Sequence, residues 1–211
     1  MTSMKGRLWI VSAPSGGGKT SLTRALLPRL AALGLPAQIS VSHTTRAPRA
    51  GEQEGVHYHF IDEAGFVERI AAHAFLEHAH VFGRRYGTAR AETEALLAAG
   101  RDVILDIDWQ GARQVRAAMP DARSVFILPP SRAELERRLR GRGTDADSVI
   151  AERMAQARDE MSHYAEYQAL VVNDDFETAL QELLALFQSP QMPPAGQQAR
   201  HAALVAELLE N

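Results

Sequence analysis

Cysteine is absent from the 211 residues, so disulfides, thiolate catalysis and cysteine-ligated zinc are excluded. Aromatic residues make up only 6%, and no aromatic platform of the kind that stacks RNA bases is present. Charge of neither sign is in large excess: 23 basic against 26 acidic residues leave a formal net charge of −3. Nothing global draws the chain to nucleic acid or to an anionic membrane, and any anion binding must come from local clusters. No run approaches about 18 apolar residues, so no membrane-spanning helix is expected. The run LWIVSAP behind Lys5 and Arg7 is too short for a signal peptide and passes into a glycine-rich turn instead of a cleavage site. A cytoplasmic location is the expectation.

What remains is an ordinary globular composition, 45% hydrophobic and 23% charged, in a length that suits one compact α/β domain or one core with small mobile insertions. Leu8 to Ala13 reads as a buried strand and Lys19 to Leu33 as a helix with Leu22, Leu26, Leu27 and Leu30 on one side. Gly34 stands where a helix C-cap belongs, and Pro28 should kink or shorten the helix. Strands are expected at Ile39 to Ser42, Ala74 to Val81, Asp102 to Ile107, Ser124 to Leu128 and Leu170 to Val172. Helices are expected at Asp62 to Ala72, Ala89 to Ala99, Gln110 to Met119, from Ser131, at Ser148 to Ser162 and at Phe176 to Phe187. Residues 43 to 58 read as ordered loop with short strands. Such strand–helix alternation implies a parallel, doubly wound sheet.

APSGGGKT, Ala13 to Thr20, lies between a strand and a helix and follows the phosphate-loop spacing GxxxxGK[ST]. Gly16, Gly17 and Gly18 let backbone N–H groups curl around phosphate oxygens, and the following helix turns its N-terminus toward the same anion. Lys19 can reach a transferred phosphate and the Thr20 hydroxyl can ligate Mg²⁺. Ala13 replaces the motif's first glycine, a small departure where φ is negative. The motif alone says "nucleoside triphosphate" and does not separate a kinase from a GTPase or a motor.

Three segments bear on a second substrate. In SHTTRAPRAGE, Arg46 and Arg49 lie three apart beside the hydroxyls of Ser42, Thr44 and Thr45, with Tyr58 shortly after. Two guanidinium forks can clamp one phosphate dianion; taken alone, a solvated basic loop fits equally well. In FLEHAHVFGRRYGT, Glu77 stands in an otherwise apolar strand pattern, with Thr88 at the end. A carboxylate suits guanine, whose N1–H and 2-amino group are adjacent donors, and Thr88 could donate to O6; a half-exposed strand residue is the bland alternative. In VILDIDWQG, Asp106 and Asp108 share one strand face near the strand's C-terminal end, where doubly wound sheets bind ligands. They suit water-mediated Mg²⁺, ribose or base; a pair of turn-forming aspartates is the other reading. The histidines His73, His78 and His80 offer no third ligand for a metal.

ELERRLRGRGTD crowds Arg137, Arg138, Arg140 and Arg142 at a helix end, and Arg153 follows one helix later. Arginines on a closing lid stabilise a transferring phosphoryl group with water excluded. A solvated helix face is the better reading for Arg137 and Arg140. Ser131 and Glu134 stand in capping-box spacing. After a Pro/Gln-rich connector at 188 to 197, His201 to Leu209 carries Leu204, Val205 and Leu208 at helical spacing, a face for self-association or for folding back on its own domain.

The order and spacing of VSAPSGGGKTSL, SVSHTTRAPRAGE, FLEHAHVFGRRYGT, VILDIDWQG, RRLRGRG and VVNDDF resemble the guanylate kinase family, bacterial type, over nearly the whole chain. The resemblance implies a P-loop core (about 1–37, 96–129 and 161–190), a GMP-binding insertion (about 38–95), a helical ATP lid (about 130–160) and a tail helix (about 195–211). It implies ATP contacts from Ala13, Pro14, Ser15, Gly16, Gly17, Gly18, Lys19, Thr20 and Ser21, with Asn173 near the adenine. Ser42, Glu77 and Thr88 would read guanine. Arg46, Arg49, Tyr58 and Tyr86 would hold the GMP phosphate, with Glu52 supporting the arginines, and Asp106 and Asp108 would lie between GMP and the magnesium region. Lys19, Arg46, Arg138, Arg142 and Arg153 would be the catalytic charges. The implied reaction is ATP-dependent phosphorylation of GMP, and of dGMP, by direct in-line transfer. The rivals are an inactive interaction module of the same fold and a kinase for another monophosphate.

Overall fold

A computed structural model describes residues 5–81, 83–141, 146–194 and 197–210. The chain has a mixed α/β fold with a parallel sheet, and it divides into two compact units, Met1–Ile10 with Leu35–Ala122 and Val11–Gly34 with Arg123–Asn211.

In the first unit, strands β1 (Leu8–Ser12, which ends in the second unit), β2 (Ala37–Ile39) and β7 (Asp102–Asp106) lie side by side in the order β2, β7, β1. The β2–β7 pair is parallel, with Gln38 opposite Val103. The apolar runs of β1 and β7 are continuous because both faces are covered: Trp9, Ile10, Val103 and Ile104 are fully buried; β2, at the edge, is half-buried. Asp102 begins β7 as a buried carboxylate, accepting from the Arg7 backbone N–H at 2.7 Å, from the Arg7 guanidinium and from the Trp9 indole N–H at 3.1 Å. A buried charge persists only when paired and hydrogen-bonded in this way.

The same unit holds a second, four-stranded sheet, ordered β4 (His59–Phe60), β3 (His43–Thr44), β6 (Arg84–Ala89) and β5 (Phe75–Val81). Strand β6 was not expected from its polar, glycine-bracketed sequence; it forms because β5 and β3 pair with it on either side. Helix α2 (Glu63–Ala71) begins where expected, with Asp62 accepting from the Gly65 N–H. Helix α3 (Arg90–Ala98) stops at Gly100, whose φ of 78° is left-handed. Helix α4 (Trp109–Ala118) follows β7.

In the second unit, α1 (Lys19–Ala32) runs through Pro28 and ends before Gly34, φ 70°. The expected shortening at Pro28 does not occur. Strands β8 (Arg123–Leu128) and β9 (Ala169–Val172) pair in parallel. Helices α5 (Arg132–Arg140), α6 (Asp147–Ser162) and α7 (Phe176–Gln188) complete the layer, with α7 packed on α1. Ser131 caps α5 by accepting from the Glu134 N–H.

The tail helix α8 (Ala202–Leu209) packs on α6. Val205 is 5% and Leu208 1% exposed, and the α5 side chain Arg132 donates to the Glu210 carbonyl. Val205 and Leu208 of this apolar stripe thus fold back into the chain's own second unit, where covering α6 removes them from water. Leu208→Ala is expected to cost about 2–3 kcal/mol, read as a lower midpoint in urea unfolding; an unchanged midpoint would show the tail to lie outside the cooperative core. No helix among the described residues is long and apolar enough to cross a membrane.

Candidate functional site

In the second unit the phosphate loop leaves β1 at Ala13 and enters α1 at Lys19. Gly16 and Gly18 have φ of 86° and 92°, which only glycine adopts without strain. Gly18 is also the N-cap of α1, which has no side-chain cap and no acidic residue in its first turn. The loop and the helix N-terminus therefore offer backbone N–H groups to an anion. Ala13 is buried, and the left-handed geometry falls on glycines that are present, so the missing first glycine leaves the turn intact. Lys19 is half-buried and Thr20 exposed at the mouth of the loop.

Two distant side chains hold this loop. The Asn173 amide donates to the Gly17 carbonyl at 2.9 Å, and a Cβ at Gly18 would stand 2.2 Å from the same amide nitrogen. Asn173 is 5% exposed, and its side chain steadies the loop's backbone. On the other side, the Ser15 N–H donates to Glu160 at the end of α6, 3.0 Å away. Sequence reasoning missed Glu160, since no local pattern ties positions 145 residues apart.

Arg138 lies on α5 beside this loop. Its Nε donates to Glu134 at 2.7 Å and its Nη2 to the Asn173 carbonyl at 2.9 Å. Its Nη1 is buried and has no hydrogen-bond partner among the described residues, a costly state that an incoming anion would relieve. Arg137 and Arg140 are spent on Glu134, Glu136 and Asp147, as the solvated-face reading expects. Arg153 is half-buried on α6. Arg142 lies outside the described residues.

In the first unit the outstanding residue is Glu77, 3% exposed in β5. The β5–β6 register shifts between Phe75 and Glu77, so Leu76 is the extra residue of a bulge, and Phe75, Leu76 and Glu77 are all buried. Thr88, directly across on β6, donates to Glu77 Oε1 at 2.5 Å. Burial raises the Glu77 pKa to about 7, with nearby Asp108 adding to the rise and the Thr88 bond opposing it. One hydroxyl carries one proton, so while Thr88 holds Glu77 it does not also donate to a ligand.

Arg46 is fixed from several sides. It donates to Glu52 at 2.7 Å and to the Ala47 carbonyl at 2.8 Å, and its guanidinium lies over the Tyr58 ring at 5.3 Å. The Arg46 hydrogen bond is the main reason that Glu52 is held down to about 2. The other Glu52 oxygen accepts the Arg49 backbone N–H at 2.7 Å, which organises the turn and leaves the Arg49 side chain exposed. Tyr86 packs edge-on against Tyr58, ring centres 6.0 Å apart, so Arg46, Tyr58 and Tyr86 form one cluster. Ser42 is half-buried beside β3. His43 is kept neutral, at about 4, first by burial and then by the charges of His59 and Arg69.

The two aspartates do not share a strand face. Strand β7 ends at Asp106, and Asp108 is the N-cap of α4, accepting from the Gly111 N–H at 2.9 Å. The period-two expectation fails because the helix begins at Trp109 and needs a cap. For Asp108 the turn-forming reading describes one of its oxygens.

The guanylate kinase family model matches residues 5–190. The chain is 58% identical over 205 residues to the guanylate kinase of Salmonella choleraesuis (strain SC-B67), covering 97% of this chain and 98% of the relative. The same figures hold for the guanylate kinase of Escherichia coli (strain K12), 58% identical with 97% and 98% covered. Among solved structures, the guanylate kinase from Anaplasma phagocytophilum matches with a TM-score of 0.73 at 31% identity, over 99% of this chain and 98% of that one.

Proposed function

This chain belongs to the guanylate kinase family, and from that premise we propose how its own side chains transfer the γ-phosphoryl group of ATP to GMP. The reaction is ATP + GMP giving ADP + GDP. It needs no covalent intermediate: the GMP phosphate oxygen attacks in line, and catalysis consists of positioning and charge stabilisation.

The phosphate loop from Ala13 to Ser21 cradles the ATP phosphates through its backbone N–H groups, and Lys19 follows the negative charge that builds on the transferring group. Arg138, with its buried Nη1 unpartnered among the described residues, supplies a second positive charge, and Arg142 and Arg153 a third and fourth. Asn173 serves ATP by keeping the loop in shape. The loop's donor set suits Mg²⁺: the Thr20 hydroxyl is a hard oxygen ligand, to be completed by phosphate oxygens and water. When bound, the ion neutralises phosphate charge and holds it for in-line attack.

The observation that carries the choice of base is Glu77, a carboxylate buried at 3% exposure with one oxygen held by Thr88. Ionised, it accepts from guanine N1–H and the 2-amino group together. Thr88 orients it, and Ser42 completes the base pocket. Arg46, Arg49, Tyr58 and Tyr86 bind the GMP phosphate, with Glu52 bracing both arginines. Asp106 and Asp108 stand on the ribose and magnesium side. The base and phosphate contacts are the same for GMP and dGMP, so dGMP is a substrate too. The enzyme works in the cytoplasm, where both nucleotides are available.

A coupled ADP-release assay over GMP, dGMP, AMP, CMP and UMP tests the reading: turnover on the guanine nucleotides should exceed the rest by orders of magnitude, and comparable turnover on AMP would overturn it. Arg49→Ala tests the phosphate clamp. Loss of its exposed, charge-assisted contact should weaken GMP by about 1.5–3 kcal/mol with ATP affinity nearly unchanged. Calorimetry that finds native GMP affinity in that variant removes Arg49 from the clamp.

A further inference from the structure

We infer that Gly111, in the first turn of α4, sets where the Glu77 carboxylate lies and is thereby a specificity-determining residue; the inference rests on the reading that Glu77 meets the guanine base. The carboxylate is confined on two sides. Thr88 holds Oε1 at 2.5 Å. Oε2 lies against Gly111 so closely that a Cβ there would stand 2.5 Å from it and 3.1 Å from the Glu77 Cδ. Both distances are inside normal non-bonded contact. The Ile107 Cβ, 3.4 Å from the same added atom, leaves a methyl at Gly111 little room to turn away from the carboxylate.

Glycine at this position has no backbone reason. Gly111 sits within α4 and is not among the residues of positive φ, and alanine is the better helix former. A residue that violates local propensity without conformational need marks a close approach, and such conflicts gather at functional sites. The group approaching here is the base-reading carboxylate itself.

The backbone beneath Glu77 is equally fixed. Gln114, on α4, donates its side-chain amide to the His78 carbonyl at 2.7 Å and accepts the His78 N–H at 3.1 Å. This reciprocal pair does for β5 what a neighbouring strand would do. With β5 clamped by Gln114 and Oε1 held by Thr88, a methyl at Gly111 is accommodated only by moving the carboxylate.

The test is a double-mutant cycle on Gly111→Ala and Glu77→Asp, with kcat/KM for GMP and AMP, KM for ATP and the thermal midpoint measured for each protein. Gly111→Ala alone should lower kcat/KM for GMP about tenfold or more, with KM for ATP within about twofold and no loss of thermal midpoint. In the Glu77→Asp background the shorter side chain leaves room for the methyl, so the same change should cost less than about threefold. Equal losses in both backgrounds, or parallel losses for ATP and GMP, would overturn the inference. Should Gly111→Ala fail to fold, Gln114→Leu is the second variant: it frees His78 without adding bulk and should raise KM for GMP but not for ATP, and an unchanged KM for GMP would overturn the inference. If Glu77→Gln leaves the GMP/AMP preference intact, the base reading itself falls. If Glu77→Gln alters that preference while Gly111→Ala does not, only the inference falls.

Discussion

Lys19→Met is expected to lower kcat by on the order of 10²-fold or more while the protein stays folded. Methionine keeps the unbranched apolar stem of lysine and removes the ammonium group with its charge and donors. The loop's shape is set elsewhere, by the left-handed Gly16 and Gly18 and by the Asn173 and Glu160 bonds to its backbone, so binding of ATP should survive better than turnover. A loss in kcat that exceeds the loss in ATP affinity identifies an interaction made mainly in the transition state. A folded variant with near-native kcat would mean that the transferring charge is met by other groups.

Glu77→Gln should erase most of the preference for GMP over AMP, which a buried polar site can raise to roughly 10⁴-fold. The substitution keeps size and turns one acceptor into a donor. Guanine then faces a clash of donors, whereas adenine N1 gains a partner. The same residue predicts a pH effect. Its pKa rises from 4.5 to about 7 on folding, so between those values the folded chain holds a proton that the unfolded chain has lost. The stabilisation is complete below 4.5 and lost as pH rises through 7. Guanine needs the ionised form, so KM for GMP should fall as pH is raised from about 6 to 8. That slope should be missing in Glu77→Gln; the ionisation of the GMP phosphate affects both proteins and cancels. A GMP/AMP ratio unmoved by the substitution would place the reading of guanine on other residues.

The legible features are those whose cause lies within a few residues. The phosphate loop is a glycine spacing followed by a helix, and the Asp62 and Ser131 caps act three residues ahead. The Arg46–Glu52 bracket spans six positions, and the family resemblance supplied its meaning. Features built by partners far along the chain stayed hidden. Strand β6 is polar and glycine-bracketed in sequence, and only its neighbours β3 and β5 make it a strand. Asp108 matched a strand period, yet a helix beginning one residue later claimed it as a cap. Asn173 and Gly17 meet across 156 positions, and no periodicity records such a contact. The apolar stripe of α8 was visible, but what it covers depends on α6 being there to receive it.

The bond between the start of the chain and Asp102 also bears on synthesis. Arg7 and Asp102 are 95 positions apart, and at about 5–20 residues per second a ribosome needs roughly 5–20 s to cover that distance. Through that interval LWIVS, the apolar segment Leu8–Ser12, has been made without the strand it will lie against or the carboxylate that accepts the Trp9 indole. The nascent chain therefore carries this apolar stretch unpaired until Asp102 has been translated, and this is when holdase chaperones would find it.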